Sequence, residues 1–280
     1  MLGFFKRYKF HQTTHTPVQH YPFSFMTVCE HVAPMSKGAF ELANQSLESA
    51  SEWLYQQHDQ TTAAHCGHFT HAQLENGDFQ EALSLALSRQ SIPVLVTNCT
   101  EAILSMLPVV AACQDDVGIL HIGQKMHLKP TLEPKVGSAF HFALSRYPNV
   151  RLLFAGVNQH DTKQETWEYA EDQGCDWITD KEFTFRHRNH VKQQVGNYLD
   201  HCDQVIISVD LGSLIAKNDL DGDMSLDIQM VLRTIRLCLV SGKVKAIQLV
   251  GDRDRLVYSR QTKTIIEELY QIAPLLDHAA

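Results

Sequence analysis

Short apolar segments alternate with longer amphipathic ones along nearly the whole chain, and this alternation limits the fold more than any single motif. Strand-like runs stand at 23–29, 61–65, 92–96, 117–122, 150–155, 175–178, 205–210 and 243–250. They are rich in Val, Ile, Leu and Phe and short enough to be strands. Helical periodicity fills the gaps: Ser36 to His58, Asp78 to Gln90, 103–110, 137–147, 162–173, 191–202, 225–241 and 259–272. Gly174 and Gly242 stand where two of these helices should stop. Strands of about five residues followed by helices of ten or more imply right-handed βαβ units and a mainly parallel sheet covered on both faces. The expected fold class is therefore a three-layer α/β/α domain with about eight strands.

No linker, repeat or low-complexity tract divides the chain, so residues 23–280 read as one domain. Residues 1–22 read as a polar and aromatic arm, with Lys6, Arg7 and Lys9 beside Phe4, Phe5, Tyr8 and Phe10. The arm lacks the apolar core of a secretory signal, and no run approaches the length of a membrane span. A net charge of -8 argues against nucleic acid as a partner, which favours a basic face. The seven cysteines are scattered and never spaced as CxxC, which points to reduced thiols and a cytoplasmic location.

Several local clusters invite chemistry. His65, Cys66, His68 and His71 are possible zinc ligands, but their spacing fits no zinc frame, and a solvated loop from Cys66 to Gly77 is the plainer reading. His187-Arg188-Asn189-His190, flanked by Arg186 and Lys192, is a basic knot near a helix start, suited to an anion, with a solvated loop or an oligomer contact as the plainer reading. Asp219, Asp221 and Asp223 hint at calcium, but Gly222 falls between the second and third carboxylates and Met230 stands where an EF-hand needs Glu. Cys99 follows a strand and precedes a helix, where a thiol can be activated, with His121 or His127 as partner; a small residue packed at a tight turn is the plainer reading.

In an open parallel sheet, ligands bind beyond the carboxyl ends of the strands. The segment Ile119–Lys129 (ILHIGQKMHLK) runs from a strand into such a position. It resembles the DAHxD motif of the ureohydrolases (arginases, agmatinases and, nearest in pattern, formimidoylglutamases), with Gly123, Lys125 and His127 in place of its three metal ligands. Ile92–Glu101 (IPVLVTNCTE) resembles the preceding GG(G/D)H(E/S) motif, with Thr100 for the histidine and Glu101 kept. Ser208–Gly212 (SVDLG) resembles SxDxD, keeping Asp210 and losing the second aspartate to Gly212. Residues 152–180 resemble the segment after DAHxD. Residues 244–263 resemble the closing D-x-x-E region, with Gln248 and Gly251 replacing the acidic pair. The resemblance covers residues 23–272.

This resemblance implies an arginase-like fold and, for the family, two Mn²⁺ ions activating a hydroxide that hydrolyses a guanidinium or formimidoyl C–N bond. Two adjacent dications require several anionic oxygen ligands. Of the positions carrying Thr100, Gly123, Lys125, His127, Asp210 and Gly212, only Asp210 keeps its type, although His127 can still ligate. A Lys125 ammonium repels a divalent ion, and Gly251 removes the family's substrate-contacting glutamate. We therefore expect no cofactor, no catalytic residue, and a catalytically inactive homologue with a binding or assembly role. The alternatives are an amidinohydrolase with a mononuclear site at His127 and Asp210, and a sensor of a small anionic or polar metabolite. In the sensor, Lys125, His127 and Asp210 converge; a Lys125–Asp210 ion pair would close the same crevice. The family's habit of forming trimers or hexamers implies a homo-oligomer, which the arm would support.

Overall fold

The structure is a computed structural model describing residues 21–57, 63–112, 115–216 and 225–276. Most of the amino-terminal arm and the Asp219–Asp223 segment lie outside these residues.

The eight strands are β1 (Phe23–Val28), β2 (Ala63–Phe69), β3 (Ile92–Thr97), β4 (Val117–Ile122), β5 (Val150–Val157), β6 (Asp176–Thr179), β7 (Gln204–Asp210) and β8 (Val244–Val250). They form one sheet in the order β2-β1-β3-β8-β7-β4-β5-β6, and every pair is parallel. The helices are α1 (Lys37–Gln57), α2 (His71–Glu75), α3 (Asp78–Ser88), α4 (Ile103–Val110), α5 (Ala139–Arg146), α6 (Gln164–Asp172), α7 (Arg188–Asp200), α8 (Ile228–Val240), α9 (Asp254–Val257) and α10 (Arg260–Leu276).

The central strands are apolar on both faces because both faces are covered. On one side, Leu120 and Ile122 of β4 and Val205, Ile207 and Val209 of β7 pack with α1, α7, α8 and α10. On the other, Val117 and Ile119 of β4 and Leu152 and Phe154 of β5 pack with α3, α4 and α5. Each fully buried side chain of this size contributes about 1.5–3 kcal/mol, so the two layers clamp the sheet and fix its carboxyl edge. Gly174 and Gly242 follow α6 and α8 with φ of 66° and 73°, the left-handed conformation that ends a helix without a Cβ clash.

One expectation needs correction. The stretch from Cys66 to Gly77 is no solvated loop: β2 runs on to Phe69, and α2 follows. Its glycine and histidines hid the strand, which is held by backbone pairing with β1. His68 lies between Thr27 Oγ1 and Asn44 Oδ1, at 2.8 and 3.1 Å. Ser51 Oγ lies 3.0 Å from His65 Nε2. These imidazoles hold β2 to its neighbours.

Candidate functional site at the carboxyl edge of the sheet

The ends of β3, β4, β7 and β8 meet where the resemblance places chemistry. One row below the edge, Gln248, Ser208 and His121 lie side by side across β8, β7 and β4, and all three are fully buried. His121 Nδ1 stands 3.2 Å from Ser208 Oγ. Gln248 Nε2 donates to Thr97 Oγ1 at 3.0 Å and to the Cys99 carbonyl at 3.1 Å. These side chains tie β8 to β3 and β4 to β7 beneath the crevice.

His121 governs the space above β4. Side chains two residues apart on a strand share a face, so His121 and Gly123 point the same way. A Cβ added at Gly123 would lie 2.7 Å from His121 Nε2 and 3.1 Å from Asp210 Cβ. The imidazole therefore occupies the room an aspartate at position 123 would need. Aromatic rings hold it there: Phe140 at 4.9 Å, His127 at 5.5 Å and Phe154 at 6.2 Å between centroids. Burial, then His127, push His121 well below its usual imidazole range, against a smaller opposing effect of the Lys125 backbone.

His127 adopts a left-handed backbone, φ 47°, uncommon for a residue with a side chain. Its Nδ1 is buried without a hydrogen-bond partner among the described residues. Burial lowers its pKa, Glu101 and Asp210 oppose that shift, and Lys125 adds to it. The crevice thus brings Glu101, Lys125 and Asp210 each within electrostatic reach of His127. It does not join Lys125 to Asp210: Lys125 is exposed, and no ion pair links the two among the described residues.

Asp210 instead turns back on its own chain. One oxygen accepts the Gly212 N–H at 2.9 Å, and the other accepts the Ser213 hydroxyl at 2.6 Å. Ser213 Oγ in turn accepts the Gln124 N–H at 2.9 Å. The retained aspartate caps the turn after β7 and locks it to the end of β4. Gly212 packs against that carboxylate, since a Cβ there would be 3.1 Å from Asp210 Oδ1.

Glu101 is likewise spent on structure. Its Oε1 accepts the Gly137 and Ser138 N–H groups at 2.7 and 3.2 Å, satisfying donors at the entrance to α5. Thr100 is buried in the short turn after β3. At Gly251, a Cβ would come within 3.0 Å of Leu256 and 3.1 Å of Leu211, so apolar packing fills the position of the expected glutamate. Beside Glu101, burial and then the Glu101 charge push Glu30 up to about 7. The Cys99 thiol is pushed well above its usual range by burial, then by Glu30 and Glu101, which removes it as a nucleophile at neutral pH.

Among the described residues, no three His, Cys, Asp or Glu side chains form a group able to hold a metal ion. The donor set at the carboxyl edge does not fit two Mn²⁺, which need several anionic oxygen ligands: beside the imidazoles of His121 and His127 it offers two carboxylates, Asp210, which accepts hydrogen bonds from its own turn, and Glu101, which accepts them from Gly137 and Ser138. His121 lies within the Ile119–Lys129 segment, where the two-residue periodicity of β4 marks it as the neighbour of Gly123; Ser213 lies one residue beyond Ser208–Gly212.

No family model matches the chain, and no curated protein sequence does. Solved structures do. A formimidoylglutamase from Bacillus subtilis superposes with a TM-score of 0.69 at 15% identity, covering 94% of this chain and 90% of its own. An arginase from Bacillus subtilis gives 0.67 at 14% identity, covering 91% and 98%. A formiminoglutamase variant from Trypanosoma cruzi with Mn²⁺ gives 0.68 at 13% identity, covering 91% and 94%. The expected arginase-like fold is the fold of this chain, and its structural neighbours are ureohydrolases.

Proposed function

We propose that this protein is a catalytically inactive ureohydrolase homologue that has lost the dinuclear manganese site and acts by binding or assembly. One observation carries the reading: the His121 ring stands over Gly123, in the space that the metal-binding aspartate of DAHxD would enter. The remaining acids support it. Asp210 and Glu101 are oriented by hydrogen bonds to Gly212, Ser213, Gly137 and Ser138, and Lys125 adds positive charge beside His127. A hydroxide held between two dications has no counterpart among these groups.

Hydrolysis assays with N-formimidoylglutamate, arginine and agmatine, after incubation with Mn²⁺, test the proposal. No turnover above the uncatalysed rate is expected; manganese-dependent release of ammonia, formamide or urea overturns it. The mononuclear alternative draws on the unpartnered Nδ1 of His127, and manganese-dependent activity abolished by His127→Ala would establish it instead.

A further inference from the structure

The basic knot at the start of α7 does not take part in the crevice. It opens onto a separate cavity of about 420 Å³ between α7 and α8, within the size range of small-molecule sites. Four cations line it, Arg188, Lys192, Arg233 and Arg236, and no lining residue is acidic, on a chain whose net charge is -8. Arg236 is paired with Glu268. Among the described residues, the other three cations meet no carboxylate.

Two of these guanidiniums are held in place before any ligand arrives. Arg188 and Arg233 both stack on the Phe185 ring, at 4.7 and 5.0 Å from its centroid, and Arg188 Nη1 donates to the Phe185 carbonyl at 3.3 Å. Cation–π contact with an exposed ring offsets little of their charge, and prior ordering lowers the cost of binding. The floor is apolar: Val191 and Met230 are each 2% exposed, and Leu237 lies beside them.

From this arrangement we infer that the α7–α8 cavity is a binding site for a small organic phosphate, with the phosphoryl group at Arg188, Lys192 and Arg233 and an apolar or aromatic body on Val191 and Met230. A phosphate monoester carries close to two negative charges and three acceptor oxygens, matching three unneutralised cations. The planar forks of the arginines suit bidentate contact with it. The site is independent of the crevice and of any loss of catalysis there.

Calorimetric titration of the full chain with adenosine 5′-monophosphate, inorganic phosphate and adenosine tests the inference. The nucleotide is expected to bind about tenfold or more tightly than inorganic phosphate, and adenosine weakly. The double variant Arg188→Ala/Arg233→Ala should lose about tenfold or more in nucleotide affinity while its melting temperature falls by only a few degrees, because both side chains are exposed. Lys192→Glu should weaken binding as well. Nucleotide binding no tighter than that of phosphate, or undiminished in these variants, overturns the inference. So does a polyglutamate peptide that binds more tightly than the nucleotide, which would make the groove a protein-docking surface.

Discussion

Glu30→Gln should make the protein more stable at pH 8 and leave it much less changed at pH 4.5. Glu30 follows β1 as a half-buried residue, with Oε2 buried and unpartnered among the described residues. Burial first, and the Glu101 charge second, raise its pKa from 4.5 to about 7. Glu101 stays in place because the Gly137 and Ser138 N–H groups hold it. Between the two pKa values the native chain holds a proton that the unfolded chain has released, so stability falls as pH rises through this window. Each unit is worth about 1.4 kcal/mol, so the shift from 4.5 to about 7 costs at most about 3.5 kcal/mol above pH 7. Partial exposure brings the expected cost nearer to about 1–2 kcal/mol. An amide cannot ionise, so the variant escapes this loss. Urea unfolding of both proteins from pH 4.5 to 8 gives the difference directly, and titrating groups that do not sense the Glu30 charge cancel in it. The variant's relative stability should climb with pH and level off above 7. A difference that stays flat across this range, or falls, refutes the placement of Glu30 against Glu101.

Three further outcomes follow from the same edge. Gly123→Asp should destabilise by about 1–3 kcal/mol by overpacking against His121, and His121→Ala in the same chain should recover part of that loss; additive effects in a double-mutant cycle by urea unfolding would contradict the contact. Ser213→Ala removes the link between Asp210 and the Gln124 N–H and should cost about 1–3 kcal/mol, with faster amide exchange at Gln124. The buried imidazole of His121 is neutral in the native state and must gain a proton on unfolding below its usual range. Stability should therefore fall as pH drops through about 6.5, and His121→Leu should flatten that slope in urea unfolding from pH 5 to 8.

The architecture was legible because the two-sided burial of a parallel sheet writes itself as uninterrupted apolar strands. The runs at 117–122, 205–210 and 243–250 carry that signal within a residue or so of their bounds. It failed at β2, where His65, Cys66, Gly67 and His68 disguise an edge strand whose order comes from pairing and from contacts with Thr27, Asn44 and Ser51. At the crevice, the sequence marked the positions where the resemblance expects other residue types: carboxylates at Gly123, His127 and Gly212 and imidazoles at Thr100 and Lys125. What replaces them depends on tertiary contacts that no local pattern encodes. The hydroxyl of Ser213 reaches Asp210 through a turn, His121 sets its ring against a neighbouring glycine, and Lys125 is exposed. The basic knot at 186–192 was visible as charge; its cavity and the Phe185 platform required α8, which lies about 40 residues further on and supplies Arg233.

Metal content tests the central claim most directly. The full chain, incubated with excess Mn²⁺, dialysed extensively without chelator and analysed by elemental mass spectrometry, should retain almost none. Retention of about two Mn²⁺ per chain, the stoichiometry of a bridged dinuclear centre, would contradict the account.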